Sequence, residues 1–267
     1  MSWMMVYLTG GAVILGCMVL LWLLSLAIKD ASIVDIFWGT GFVIAAWVYG
    51  WFGDGFWARK AIVLTCATLW GLRLSIYIMI RNVGHGEDYR YVKWREESGK
   101  NWWWFSFIKV FLLQGTLMWL ISSPLMIAQA IPTPTTWTTL DIAGVILWCI
   151  GFFFEAVGDY QLMKFKKDPN NKGKLLTTGL WKYTRHPNYF GDATLWWGFY
   201  IIALAVPNGF MTLFAPVLMT FFIVKVSGVA MLERGLKKTK PGYEDYVART
   251  NAFFPWFPKK ISSTTQE

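Results

Sequence analysis

The sequence predicts an all-α integral membrane protein of about seven transmembrane helices, with the amino terminus outside and the carboxy terminus cytoplasmic. Three observations predict it. Of 267 residues, 55% are hydrophobic and only 15% are charged, against roughly 25% charged in an ordinary soluble domain. The apolar residues come in long blocks, with a mean hydropathy of +0.41. The basic residues fall in three clusters that seven spans place on one side of the bilayer.

A span needs about 20 mainly apolar residues. The first block, Met4–Ile28, has no basic residue before it and is longer than a signal-peptide core, so it reads as a span that stays in the protein. Ala31–Phe52, Ala61–Ile80, Phe105–Ile131 and Leu140–Met163 follow. The last two, Tyr189–Val206 and Phe210–Leu232, are separated only by the turn Pro207-Asn208-Gly209. They read as a tight hairpin of full spans or as two shorter ones.

The basic clusters run from Arg81 to Lys109 after span three, from Lys164 to Arg185 after span five, and from Arg234 to Lys260 in the tail. The opposite loops, 132–139 and 207–209, carry no charge, and Arg59 and Lys60 are the exceptions. An even number of spans before any cluster breaks this agreement. The net charge of +9 is therefore largely a topology signal, which anionic lipid also favours. Nucleic acid is not an implied partner, because the cations flank spans and no nucleic-acid motif accompanies them. The chain reads as one membrane domain, 1–267, in a multi-pass protein, with a frayed tail from Ile261 to Glu267. No pattern sets an oligomeric state.

Charges inside spans cost roughly 2.5–3.5 kcal/mol each at the helix centre. Asp35, Arg73, Glu155, Asp159, Asp192 and Lys225 all lie in or near spans. Glu155 and Asp159 share a helix face, as do Arg73, Tyr77 and Arg81. The bland reading is mutual neutralisation, Arg73 with Asp35 or Glu155. The functional reading is a polar cavity open to the cytoplasm. Three cysteines, Cys17, Cys66 and Cys149, lie in apolar stretches and read as small buried hydrophobes. Two histidines are too few for a histidine metal site, and no metal is expected.

The densest polar stretch runs from Gly173 to Asp192. Pro187 breaks any helix entering from the loop, and Gly191 lets another backbone or a ligand come close. Arg185 and Lys182 can grip phosphate, while His186 and Asn188 can donate and accept hydrogen bonds. An interfacial anchor belt is the alternative. The segment Arg81 to Tyr91 reads as a loop that is either solvated or the second wall of an anion site. Gly39-Thr40-Gly41 lies within a span, so it is not a nucleotide fingerprint.

Gly179-Leu180-Trp181 followed by Arg185-His186-Pro187-Asn188-Tyr189-Phe190-Gly191-Asp192 resembles the carboxy-terminal signature of the steroid 5-alpha-reductase and sterol reductase superfamily. Lys166-Lys167-Asp168-Pro169, Glu233, Pro241-Gly242-Tyr243-Glu244-Asp245-Tyr246 and Phe253-Phe254-Pro255 continue the likeness over residues 159–258, the cofactor-binding signature region. Trp70-Gly71-Leu72-Arg73 and Glu87-Asp88-Tyr89-Arg90-Tyr91 look closest to its bacterial branch, of DUF1295 type. The resemblance implies NADPH-dependent reduction of a carbon–carbon double bond in a steroid-like or other lipid, at a bacterial inner membrane. By family pattern Asn188, Asp192 and Asp159 contact NADPH, with Lys166 and Arg185 on its phosphates. Arg73, Arg81, Tyr89, Arg90, Trp181, Tyr183, His186, Tyr189 and Glu233 are further cofactor-binding positions. The family's catalytic Gln-Glu pair and Tyr are replaced: span two offers Asp35, and Trp70 stands where the Tyr is expected. Asp35 or Tyr77 is then the proton donor. Isoprenylcysteine-type methyltransferases using S-adenosylmethionine share the Arg-His-Pro-x-Tyr pattern, which makes them the rival reading. A transporter or lipid-binding protein is a third, although no inverted repeat is visible.

Overall fold

The structure is a computed structural model that describes residues 1–82, 84–226 and 228–259. Lys260 of the basic tail and the 261–267 segment lie outside them. Every regular element among the described residues is helical: α1 (Trp3–Ile28), α2 (Ile33–Phe52), α3 (Trp57–Asn82), α4 (Tyr89–Ser98), α5 (Trp102–Ser106), α6 (Leu113–Ile121), α7 (Ser123–Ala130), α8 (Thr139–Lys167), α9 (Pro187–Ala203), α10 (Phe214–Phe221), α11 (Val229–Thr239) and α12 (Tyr243–Arg249). π-helical turns over Phe107–Leu112 and Phe222–Val226 join α5 to α6 and extend α10.

Six helical runs among the described residues are long and apolar enough to cross a membrane, not seven. The span expected over Tyr189–Val206 is α9, which has 17 residues. At 1.5 Å per residue it covers about 25 Å, short of a hydrocarbon core of roughly 30 Å. The chain reverses at Ala203–Asn208, where Asn208 takes a left-handed backbone (φ 64°). A second correction concerns Tyr89–Ser98, read from sequence as loop. Asp88 accepts a hydrogen bond from the Arg90 amide and caps α4, so the run continues as helix into the fourth span, Tyr89–Ile121.

The chain forms two compact units. The first comprises Met1–Ile142 and Phe199–Ala215. In it α2 packs against α1, α3 and α7. Gly39 and Gly71 set the α2–α3 crossing: a Cβ on Gly39 would lie 2.2 Å from the Gly71 carbonyl oxygen. The Ser75 hydroxyl completes the crossing by bonding the Thr40 amide and hydroxyl, both at 2.9 Å. Glycine here serves helix contact, as small residues do between membrane helices. Arg59, the exception to the one-sided charge pattern, is fully buried and bonds Asp141 through Nε (2.6 Å) and Nη2 (2.9 Å). Its charge is neutralised inside the protein and so does not act as a topology signal.

The second unit comprises Ala143–Gly198 and Pro216–Glu267. Its α8 and α9 cross at glycines. A Cβ on Gly191 would meet the Glu155 amide nitrogen at 2.3 Å, and one on Gly151 would meet the Leu195 amide at 2.4 Å. The close approach foreseen at Gly191 is thus to another backbone. Trp197 donates to Thr220 at 3.2 Å, tying α9 to α10.

Candidate functional site

The signature residues of the second unit converge at the amino-terminal end of α9. Gly179 (φ 62°) turns the chain so that the Leu180 amide donates to Gln161 of α8 at 3.0 Å. Trp181 is then buried and donates to the Gly158 carbonyl at 3.2 Å, while the Tyr246 hydroxyl donates to the Trp181 carbonyl. The short segment ahead of α9 is stitched to the carboxy-terminal segment. The Arg185 amide donates to the Asn251 carbonyl and the Trp256 amide to the Tyr183 carbonyl, each at 2.9 Å. The Thr184 hydroxyl donates to the Phe253 carbonyl at 2.8 Å. Pro187 opens α9, where a missing N–H costs nothing.

Two polar groupings result. Arg185, His186 and Glu233 form the first. Arg185 donates to Glu233 Oε1 through Nε at 2.8 Å and Nη2 at 2.5 Å, and through Nη1 to the carbonyls of Val247 and Thr250. His186 Nε2 faces the same carboxylate oxygen at 3.3 Å and its ring stacks on Tyr189. Asp159 and Asn188 form the second, with Asn188 Nδ2 donating to Asp159 Oδ1 at 3.0 Å. Gly158 lets the two helices approach here, since a Cβ there would already stand 3.1 Å from the Asn188 backbone nitrogen. Asp159 and Glu155 are both buried in α8. The Asn188 amide oxygen is buried with no hydrogen-bond partner among the described residues. Asp192 is half-buried one helical turn further along α9.

A cavity of about 520 Å³ opens at Arg185 of the first grouping, within the range usual for small-molecule sites. Leu162, Phe165, Leu175, Leu176, Trp181 and Leu236 give it apolar walls, and Lys166, Lys167, Lys172, Lys174 and Lys240 border it. Tyr243 and Tyr246 close one side. Burial pushes both phenols up, so they stay protonated donors at neutral pH. Tyr243 also feels the charges of Glu233 and Arg185, yet its buried hydroxyl makes no hydrogen bond of normal length.

The remaining expected positions lie in the first unit. Asp35 accepts from the Tyr91 hydroxyl at 2.7 Å and from Arg90 Nη2 at 2.9 Å. Gln114 donates to the same Tyr91 oxygen at 3.2 Å. The neutralising partner of Asp35 is therefore Arg90 of α4, where sequence suggested Arg73. Arg73 and Tyr77 are half-buried on α3, Arg81 donates to Asn82 at its exposed end, and Tyr89 is 70% exposed. Trp70 is fully buried against Phe42. Tyr183 is half-buried with its ring edge on Phe257. Sequence reasoning missed Tyr91, Gln161, Tyr243 and the cavity lysines beyond Lys166. The tyrosines were inside quoted motifs, but only their partners give them a role.

A family model described as Protein of unknown function (DUF1295) matches residues 21–250. The chain belongs to this family. DUF1295 stands within the steroid 5-alpha-reductase-like superfamily. An uncharacterised protein of Schizosaccharomyces pombe is 26% identical over 264 residues, covering 88% of this chain and 75% of the relative. A probable O-methyltransferase, ustE, of Ustilaginoidea virens is 43% identical over 53 residues, 20% of this chain and 18% of its own. No solved structure matches.

Proposed function

We propose that this DUF1295 protein is a membrane-embedded, NADPH-dependent reductase of a carbon–carbon double bond in a lipid substrate. The observation that carries the reading is the Asp159–Asn188 pair, whose buried amide oxygen is left to accept one more hydrogen bond. A nicotinamide carboxamide presents the N–H donor that such an oxygen needs. Asp159 holds the Asn188 amide in one orientation, and Glu233 ties Arg185 to His186. Lys166 is the cation suited to the diphosphate. When bound, NADPH supplies the hydride. The chain must then deliver a proton to the neighbouring carbon or to a conjugated carbonyl. The resemblance gives that role to Asp35 or Tyr77, and Asp35 comes with Tyr91 and Arg90 hydrogen-bonded to its carboxylate. The same reading places the amino terminus outside, the tail in the cytoplasm and the protein in a bacterial inner membrane. The positive-inside pattern supports that topology, because a hairpin of α9 with the last helix returns the chain to its starting side even where α9 is short.

A second reading, an S-adenosylmethionine-dependent methyltransferase, is favoured by the 53-residue likeness to the fungal O-methyltransferase. Thermal stabilisation of the detergent-purified protein separates the two, since a ligand that binds only the folded state raises stability by mass action. The reductase reading expects a shift with NADPH that Asn188→Ala removes. A shift with S-adenosylmethionine and none with NADPH overturns it.

A further inference from the structure

Three large aromatic side chains stand on the outside of the second unit, near its carboxy-terminal end. Phe254, Trp256 and Phe257 are 71%, 68% and 75% exposed. Such rings, crowded into one short segment, form an apolar patch that water does not favour. The backbone that carries them is fixed. The Trp256 amide donates to the Tyr183 carbonyl and the Lys259 amide to the Arg249 carbonyl, each at 2.9 Å. The Phe253 carbonyl accepts the Thr184 hydroxyl at 2.8 Å, and the Phe257 ring meets Tyr183 edge-on. Pro255 and Pro258 carry no N–H, so they leave no donor unbonded in an apolar medium.

The patch is continuous with a surface of α8 suited to lipid. Phe153 is exposed near the end of the uncharged run 142–154, on a helix long and apolar enough to cross a membrane. Ring contacts lead from Phe153 to Phe154 (5.8 Å between centroids), on to Phe190 (5.1 Å), and from there to Phe254 (6.1 Å). Phe154 precedes Lys164, in the basic last turn of α8, by about 15 Å of helix at 1.5 Å per residue. The aromatic series thus begins at the apolar level of a span and ends beside the exposed cations Lys182 and Lys259. A bilayer surface asks for that order: ring bodies against acyl chains, ammonium groups toward phosphates.

We propose that Phe254, Trp256 and Phe257 insert into the boundary between the headgroups and acyl chains of the bilayer, with Lys182 and Lys259 at the level of the phosphates. The carboxy-terminal segment is then a membrane-seated strap rather than a solvated tail. It is the same segment whose Asn251 carbonyl takes the Arg185 amide, but the inference stands independently of the cofactor reading, since it needs only a bilayer.

The test places full-length protein in vesicles of phosphatidylcholine and phosphatidylglycerol. In a background with Cys17, Cys66 and Cys149 changed to Ala, a nitroxide is attached at Phe254→Cys or Phe257→Cys. Ile150→Cys, on the exposed face of α8, gives the lipid reference, and Lys237→Cys, exposed on α11, gives the aqueous one. Labels at 254 and 257 are expected to collide with oxygen several-fold more readily than with a water-soluble nickel chelate, as at 150 and opposite to 237. A second reading needs no label: the emission that Trp256→Phe removes from the 18 tryptophans should be quenched by phosphatidylcholine brominated on its acyl chains. Labels at 254 and 257 that follow 237, labels shielded from both reagents by a protein partner or a second copy, or Trp256 emission untouched by bromolipid overturns the proposal.

Discussion

Glu233→Gln is the most informative single change in the second unit. Arg185 is 7% exposed and Glu233 19%, so the pair is largely sheltered from water. The carboxylate oxygen Oε1 takes two Arg185 hydrogen bonds, at 2.8 and 2.5 Å, and faces His186 at 3.3 Å. Hydrogen bonds to a charged partner contribute about 1.5–3 kcal/mol each. Glutamine keeps the shape and one accepting oxygen, and Arg185 retains the Val247 and Thr250 carbonyls. A net loss of about 2–3 kcal/mol follows, less than the roughly 3–5 kcal/mol of a bare buried charge. At about 2–4 °C per kcal/mol for a chain of this size, thermal unfolding should fall by about 5–10 °C. Differential scanning of the detergent-purified variant reads the shift, and Arg185→Lys, which loses the fork geometry, should fall by a similar amount. An unchanged unfolding temperature in Glu233→Gln refutes the view that this carboxylate holds Arg185 and His186 in place.

Other expectations follow from the same geometry. Arg59→Met should destabilise by about 3–5 kcal/mol, because it strands the fully buried Asp141, and adding Asp141→Leu should recover most of the loss; chemical denaturation measures both, and a double variant as unstable as the single contradicts the account. Gly191→Ala sets a Cβ 2.3 Å from the Glu155 amide nitrogen and 2.5 Å from the Gly151 carbonyl. It should separate α9 from α8 at a cost of about 1–3 kcal/mol, and an unaltered melting profile would contradict that. Burial raises the Asp88 carboxyl, but hydrogen bonds and charge from Arg90 outweigh it and hold the group below the usual carboxylate value. Its folded value lies below the unfolded one of about 3.9, so its contribution is complete above that pH and fades as pH falls through the folded value. Asp88→Asn should flatten this acid limb of a stability–pH profile, whereas an acid limb as steep as that of the wild type assigns the loss to other carboxylates.

Much of the architecture was legible in the sequence because bilayer thickness and unsatisfied backbone groups leave little choice: long apolar blocks become helices. Block length alone could not separate α9 from a full span, since the turn at 203–208 sets where its helix ends. The Tyr89–Ser98 helix was missed because its start depends on a single cap at Asp88, in a stretch with no apolar periodicity. Within the site, Asn188, Asp159, Arg185, His186 and Glu233 carried visible signals as polar groups beside or inside apolar spans. Partner choice did not: Asp35 meets Arg90 and Tyr91, 55 and 56 positions away, and nothing in local spacing distinguishes that from a meeting with Arg73. Arg59 looked like a topology exception only because its buried partner Asp141 sits at the start of another helix. The tyrosines at 243 and 246 look alike in the motif, yet one hydroxyl is bonded to the Trp181 carbonyl and the other is not.

Deuterium transfer from NADPH deuterated at its hydride position, presented with a panel of enone lipids and followed by mass spectrometry, tests the central claim most directly. The account predicts one deuterium in a saturated lipid product, lost in Asn188→Ala and in Asp159→Asn. A methyl group from S-adenosylmethionine appearing on a lipid, with no deuterium transferred to any enone, would contradict it.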